Sequence, residues 1–183
     1  MNRAPRQIPR VRIRPATRAD VETLARFSAA MARETEGLTL DGARLRAGTR
    51  ALFDQPARGF YLVAEQKNGA GREVVGQLMV TYEWSDWRNA TFWWIQSVYV
   101  PPAWRRKGVY RRMHAHVLDL ARQHREVCGI RLYVERSNRI AQTAYRRAGL
   151  HPSAYRVYEE DFVLTQRLGP RRPPRKGGRK EGP

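Results

Sequence analysis

The chain has 183 residues, enough for one domain with a sizeable core, and its 42% hydrophobic content is ordinary for a globular protein. No apolar run is long enough to span a bilayer, the basic start from Met1 to Arg14 lacks the apolar stretch of a secretory signal, and the lone Cys128 excludes an internal disulfide; a cytoplasmic protein in a reducing compartment is expected. The formal net charge of +18 favours polyanionic partners, nucleic acid among them, yet only Lys67, Lys107, Lys176 and Lys180 of the 35 basic residues are lysines. Such an arginine bias is explained equally well by a GC-rich genome.

Residues 1–10 carry prolines and arginines and suit a flexible basic arm. Arg12-Ile13-Arg14-Pro15-Ala16 alternates briefly, as a short first strand would. Thr17 with Asp20 three residues on forms a helix start, and Val21, Leu24, Phe27 and Met31 then fall on one apolar face. Gly37 ends that helix. Asp41 caps a second, weaker one reaching about Phe53. Phe60–Glu65 is a strand by its aromatic and β-branched content, Asn68-Gly69-Ala70-Gly71 a turn, and Val74–Tyr82 its hairpin partner. The linker from Trp84 to Asn89 leads into Thr91–Val100, which is apolar on both faces, as a doubly covered central strand should be.

Pro101-Pro102 stops that strand, and a helix follows from Gly108 to about Gln123, with Met113, Val117, Leu120 and His124 on one face. Ile130–Glu135 is a further strand. Ser137 or Asn138 caps a helix that ends at Ala148-Gly149. Tyr155–Phe162 is expected as a final strand. The order β-α-α-β-β-β-α-β-α-β implies an α/β protein with a mixed (α+β) sheet rather than a doubly wound one. The domain is expected over residues 11–166. Residues 167–183 make a disordered Pro/Gly-rich basic tail, with six basic residues against one acid, Glu181, from Gly169 onward.

The segment Arg105-Arg106-Lys107-Gly108-Val109-Tyr110 lies between a strand and a helix. Backbone N–H groups at a helix start make an anion-binding concavity, and the helix dipole reinforces it. Gly108 lets the main chain approach a phosphate without a Cβ in the way. Arg105, Arg106 and Lys107 add positive charge. A basic, solvated helix start would look the same in isolation.

The run from Val98 to Tyr110 resembles the acetyl-CoA motif of the GNAT superfamily of N-acetyltransferases: a strand, a proline, then Arg/Gln-x-x-Gly-x-Gly/Ala. Arg105 and Gly108 match, whereas Tyr110 stands where the family has a small residue. The run from Glu135 to Leu150 is similar to the family's strand–Asn–helix–Tyr–Gly segment, with Asn138, Ala141, Tyr145, Gly149 and Leu150 in place. The resemblance covers roughly 12–162 and implies a GNAT-like fold that moves an acetyl group from acetyl-CoA to a primary amine by direct attack in a ternary complex.

It further implies that the backbone of Val98, Tyr99 and Val100 holds the pantetheine arm, with the strand splayed from its neighbour. The loop from Arg105 to Tyr110 would hold the pyrophosphate, Asn138 the cofactor arm, and Tyr145 would protonate the departing thiolate. Asn138 equally serves as a helix cap, and Tyr145 as a packed aromatic. Glu83, and after it Asp86, are candidates for the general base, although both also suit surface pairing with Arg88. Trp84, Trp87, Trp93 and Trp94 form either a wall of the acceptor pocket or a core or dimer contact. His114 and His116 sit on different helix faces, so no metal site is expected. Family members often dimerise, which leaves a homodimer open. The competing function is a non-catalytic nucleic-acid- or ribosome-associated protein using the basic tail.

Overall fold

In the computed structural model, the residues described are 11–69 and 71–163. They fall into two units divided after His151, and each is treated by itself. The first opens with strand β1 (Arg12–Pro15), then helices α1 (Val21–Glu36) and α2 (Gly42–Asp54). Strands β2 (Gly59–Asn68), β3 (Gly71–Ser85) and β4 (Ala90–Tyr99) follow. Helix α3 (Val109–Gln123), strand β5 (Val127–Leu132) and helix α4 (Arg139–Arg147) complete it. The five strands make one sheet in the order β1-β2-β3-β4-β5. The first three pairings are antiparallel, and β4–β5 is parallel, so α3 is the crossover between them. The expected mixed sheet is what the chain builds.

Local signals set most boundaries. Asp41 accepts a hydrogen bond from the Arg44 N–H at the start of α2. Asn138 accepts from the Ala141 N–H at 3.0 Å at the start of α4. Gly37 takes a left-handed φ of 67° to close α1, a conformation that costs glycine little. At Thr17 the expected helix start begins as a single 3-10 turn, Arg18–Asp20, with the Asp20 carboxylate accepting from the Thr17 N–H at 2.7 Å.

Alternation in β2 sorts side chains between two layers. Leu62 and Ala64 join Leu78, Val80, Trp93 and Ile95 beneath Val109, Met113 and Val117 of α3. Tyr61 and Val63 face the other way, with Leu24 of α1 and Leu52 and Phe53 of α2. Leu62, Leu78 and Met113 are fully buried. Truncating any of them to alanine leaves a cavity that costs about 2–5 kcal/mol. An ionic knot ties β1 to β2 and to the turn that leads into α1: Arg14 donates to Asp20 at 2.8 and 3.0 Å and to Glu65 at 2.7 Å.

Two expectations need correction. The segment Tyr155–Phe162 forms no strand, and in the second unit Tyr155, Tyr158 and Phe162 are exposed. Alternating apolar residues supply strand propensity, but a strand exists only where a partner takes up its backbone groups. Strand β5 runs Val127–Leu132 rather than Ile130–Glu135. Its last partner on β4 is Ile95, opposite Leu132, so Tyr133–Glu135 have no ladder to join. The expected arm over 1–10 and tail over 167–183 lie outside the described residues.

Candidate active site

β4 carries a bulge close to its C-terminal end. Gln77 pairs with Tyr99 and Met79 with Gln96, so Ser97 and Val98 together face the single residue Leu78. Ser97 takes a φ of 48°, which is unusual for a residue with a Cβ. Pairing between β4 and β5 stops at Ile95–Leu132. Beyond that point, Gln96 to Tyr99 have no ladder partner on the β5 side among the described residues. The sheet therefore opens there.

The loop from Arg105 to Gly108 stands at the end of this opening. Arg106 and Gly108 are both left-handed, at φ 61° and 78°. Gly108 is the residue before the first turn of α3, whose leading N–H groups have no intrahelical acceptor. A Cβ placed on Gly108 would meet no atom within 4 Å, so the space before the helix is open. Exposed loop, free N–H groups and helix dipole together fit an anion. Val109 contributes main chain only, because its side chain is buried in the core.

The loop's side chains are less available than the sequence suggests. Arg105 donates from Nε to the Val100 carbonyl at 2.8 Å, and its guanidinium is hydrogen-bonded to Glu34 of α1. Tyr99 donates its hydroxyl to the other Glu34 oxygen at 2.7 Å. Burial works to raise the Glu34 carboxyl, but the Arg105 and Tyr99 bonds outweigh it, and the net shift is downward. Arg105 thus shapes the loop from behind. Lys107 packs its ammonium 4.8 Å from the Trp104 ring centre.

Tyr110, the departure from the family pattern, points inward. Its ring lies edge-on to Tyr145 at 5.4 Å and 5.7 Å from His114. It leaves the loop's backbone unobstructed and bears on Tyr145 instead. Burial raises both phenols, Tyr110 strongly, so each holds its proton at neutral pH. Burial lowers the His114 imidazole. Neither the Tyr110 hydroxyl nor His114 Nε2 has a hydrogen-bond partner among the described residues. Asn138 is present as a cap, as the sequence allowed.

Glu83 sits apart from this group. It lies opposite Phe92, three residues before the last β4–β5 pair, or about 10 Å along the strand. Its carboxylate accepts from Arg131 Nη1 at 2.6 Å and from the Trp94 indole. Arg131 in turn stacks 3.6 Å from the Phe92 ring centre. The alternative pairing of Glu83 with Arg88 is not found among the described residues; Arg88 reaches Ser85 and the Phe92 ring. Asp86 accepts from the N–H of its neighbour Trp87. Nor do the tryptophans make one wall: Trp93 is core, Trp94 stacks on Tyr133 at 4.3 Å, and Trp84 and Trp87 are exposed. Among the described residues no cluster of His, Cys, Asp or Glu could hold a metal ion, and no helix is long and apolar enough to cross a membrane.

Sequence reasoning missed Glu34, Gln77, Ser28 and Arg131. Glu34 stands 71 residues from Arg105, and no local pattern reports such a contact. A polar residue at an inward position of β3 was the one legible hint for Gln77.

A sheet that opens between β4 and β5, with a helix start at its mouth, is the architecture of an acetyltransferase. A possible acetyltransferase from Clostridium difficile 630 superposes with a TM-score of 0.76 at 38% identity, covering 84% of this chain and 98% of that one. A predicted acetyltransferase from Clostridium acetobutylicum, solved with acetyl-CoA, gives a TM-score of 0.66 at 15% identity over 82% and 96% of the two chains. Glucosamine-6-phosphate N-acetyltransferase from Arabidopsis thaliana shares the fold at 13% identity, with a TM-score of 0.62 over 82% of this chain and 97% of that one. No curated protein matches the chain. The sequence pattern of the acetyltransferase (GNAT) family matches residues 27–150. The chain belongs to that family and is a transferase of acetyl groups.

Proposed function

We propose that this enzyme takes its acetyl group from acetyl-CoA and delivers it to a primary amine by direct attack in a ternary complex. The observation that carries this reading is the open, left-handed loop Arg106–Gly108 at the mouth of the β4–β5 opening. The pyrophosphate meets the main chain from Arg106 to Tyr110, with Arg106 and Lys107 adding charge. The pantetheine arm runs along the free edge of β4 at Val98–Val100, and the side chain of Asn138 borders it while capping α4.

In the reaction the amine nitrogen bonds to the thioester carbon, and the carbonyl electrons move to oxygen. Backbone N–H groups at the β4 bulge face that oxyanion. The C–S bond then breaks, and its electron pair goes to sulfur. Tyr145 donates its proton to the thiolate; burial, which raises its phenol, keeps that proton in place until it is needed. The acceptor must first lose a proton of its ammonium. Glu83, hydrogen-bonded by Arg131 and Trp94, accepts it through water. The acylated nitrogen still carries one proton too many and passes it through solvent to the Tyr145 phenolate, which restores the phenol and leaves the amide and CoA thiol as products.

The test is a screen of amines, amino acids, polyamines, aminoglycosides and peptides for CoA release. Once an acceptor is found, Tyr145→Phe should lower kcat by about 100-fold, the usual scale of a general acid, with acetyl-CoA affinity nearly unchanged. Wild-type turnover by Tyr145→Phe would remove its role as the acid.

A further inference from the structure

Gln77 is wholly buried between the sheet and α1. Its amide nitrogen donates to Ser28 Oγ at 2.9 Å and to the Ser97 carbonyl at 3.2 Å. Ser97 is the left-handed residue of the β4 bulge. Such a backbone, in a residue with a Cβ, persists only where its surroundings hold it. Gln77 Oε1 has no partner among the described residues. An interior site that costs a buried, unpaired oxygen would be more stable filled by leucine or methionine. Stability alone therefore does not account for an amide here. A group with two N–H donors, one for α1 and one for the bulge, does.

We propose that Gln77 is a positioning residue for acetyl transfer: its amide, braced by Ser28, locks the Ser97 bulge and so sets the free edge of β4 on which the thioester lies. This rests on the donor site proposed above. Without the bulge, β4 would continue flat, and its edge from Gln96 onward would meet β5 instead of the donor. Helix α1 holds the other end of the same site, because Glu34, six residues past Ser28, binds both Tyr99 and Arg105. The two anchors place one rigid element behind both the thioester and the loop.

The test begins with wild-type enzyme. Its CoA affinity by calorimetry and its turnover of acetyl-CoA check the donor site separately, before any variant is made. Gln77→Met keeps the volume and removes both donors. With acetyl-CoA its kcat should fall roughly 10- to 100-fold, the scale of a displaced reacting group, while free CoA, gripped at the loop, binds within about twofold of wild type. Adding Ser97→Gly should restore most of the lost kcat, because glycine holds a positive φ unaided. A merely structural role would give no such rescue. Wild-type kcat in folded Gln77→Met, or a slow double variant, would overturn the proposal. Should Gln77→Met fail to fold, Ser28→Ala carries the same test: a lower kcat with CoA affinity kept supports the brace, and wild-type kinetics overturn it.

Discussion

Gly108→Ala separates the backbone shape of the loop from its ligand. The added Cβ meets no atom within 4 Å, so no clash contributes to its cost. What remains is the left-handed backbone at φ 78°, which costs a residue with a Cβ about 1–2 kcal/mol. Gly69, in the β2–β3 turn, is a matched control: φ is 58°, and again nothing lies within 4 Å. Each variant should lose about 1–2 kcal/mol of stability, or a Tm shift of roughly 2–8 °C for a chain of this size. Only Gly108→Ala should also lose acetyl-CoA. Its backbone relaxes toward negative φ, turning an N–H away from the pyrophosphate. One lost hydrogen bond to a charged group is worth about 1.5–3 kcal/mol, or roughly 10- to 150-fold in Kd. Titration calorimetry beside thermal melts reads both quantities on the same samples. Equal affinity in the two variants would refute the loop assignment. An equal loss in both would show that strain, not the site, moves binding.

Tyr110→Phe should raise stability by about 1 kcal/mol, against the usual loss for this substitution, because the hydroxyl it removes is buried without a partner. A lower Tm would show that the hydroxyl is bonded in solution. The buried His114 sets a pH dependence. Its folded-state pKa lies below the ordinary 6.5, so the unfolded chain binds the extra proton first. Stability should be level above about 6.5 and fall as pH drops below it. The lowered Glu34 and Glu65 carboxyls should add their losses only from about 4.5 downward. Melts of wild type and His114→Met between these limits isolate the histidine; parallel curves would refute its part.

The legible features were those written in neighbouring residues. Asp41, Asn138 and Gly37 announced helix ends because a cap or a left-handed glycine acts within a few positions. Gly108 announced the loop for the same reason. Glu83 shows where locality fails. Its nearest cation in sequence is Arg88, yet the parallel β4–β5 register brings Arg131 beside it, and a guanidinium seated on Phe92 and Trp94 is already desolvated and oriented for a carboxylate. The strand expected at Tyr155–Phe162 fails in the opposite sense, since its alternation named a face but not a partner.

The bulge at Ser97 was hidden for a deeper reason. Val98-Tyr99-Val100 has the composition of a regular strand, and nothing in it calls for a left-handed residue. The irregularity is imposed from outside, by an amide 20 residues earlier and a serine 49 residues before that amide. The loop from Arg105 to Gly108 is a local device supported at long range by Glu34. The opening of the sheet is long-range throughout. One helix, α1, supports both, so a shift of α1 would reach the loop proposed for the pyrophosphate and the β4 edge proposed for the thioester together.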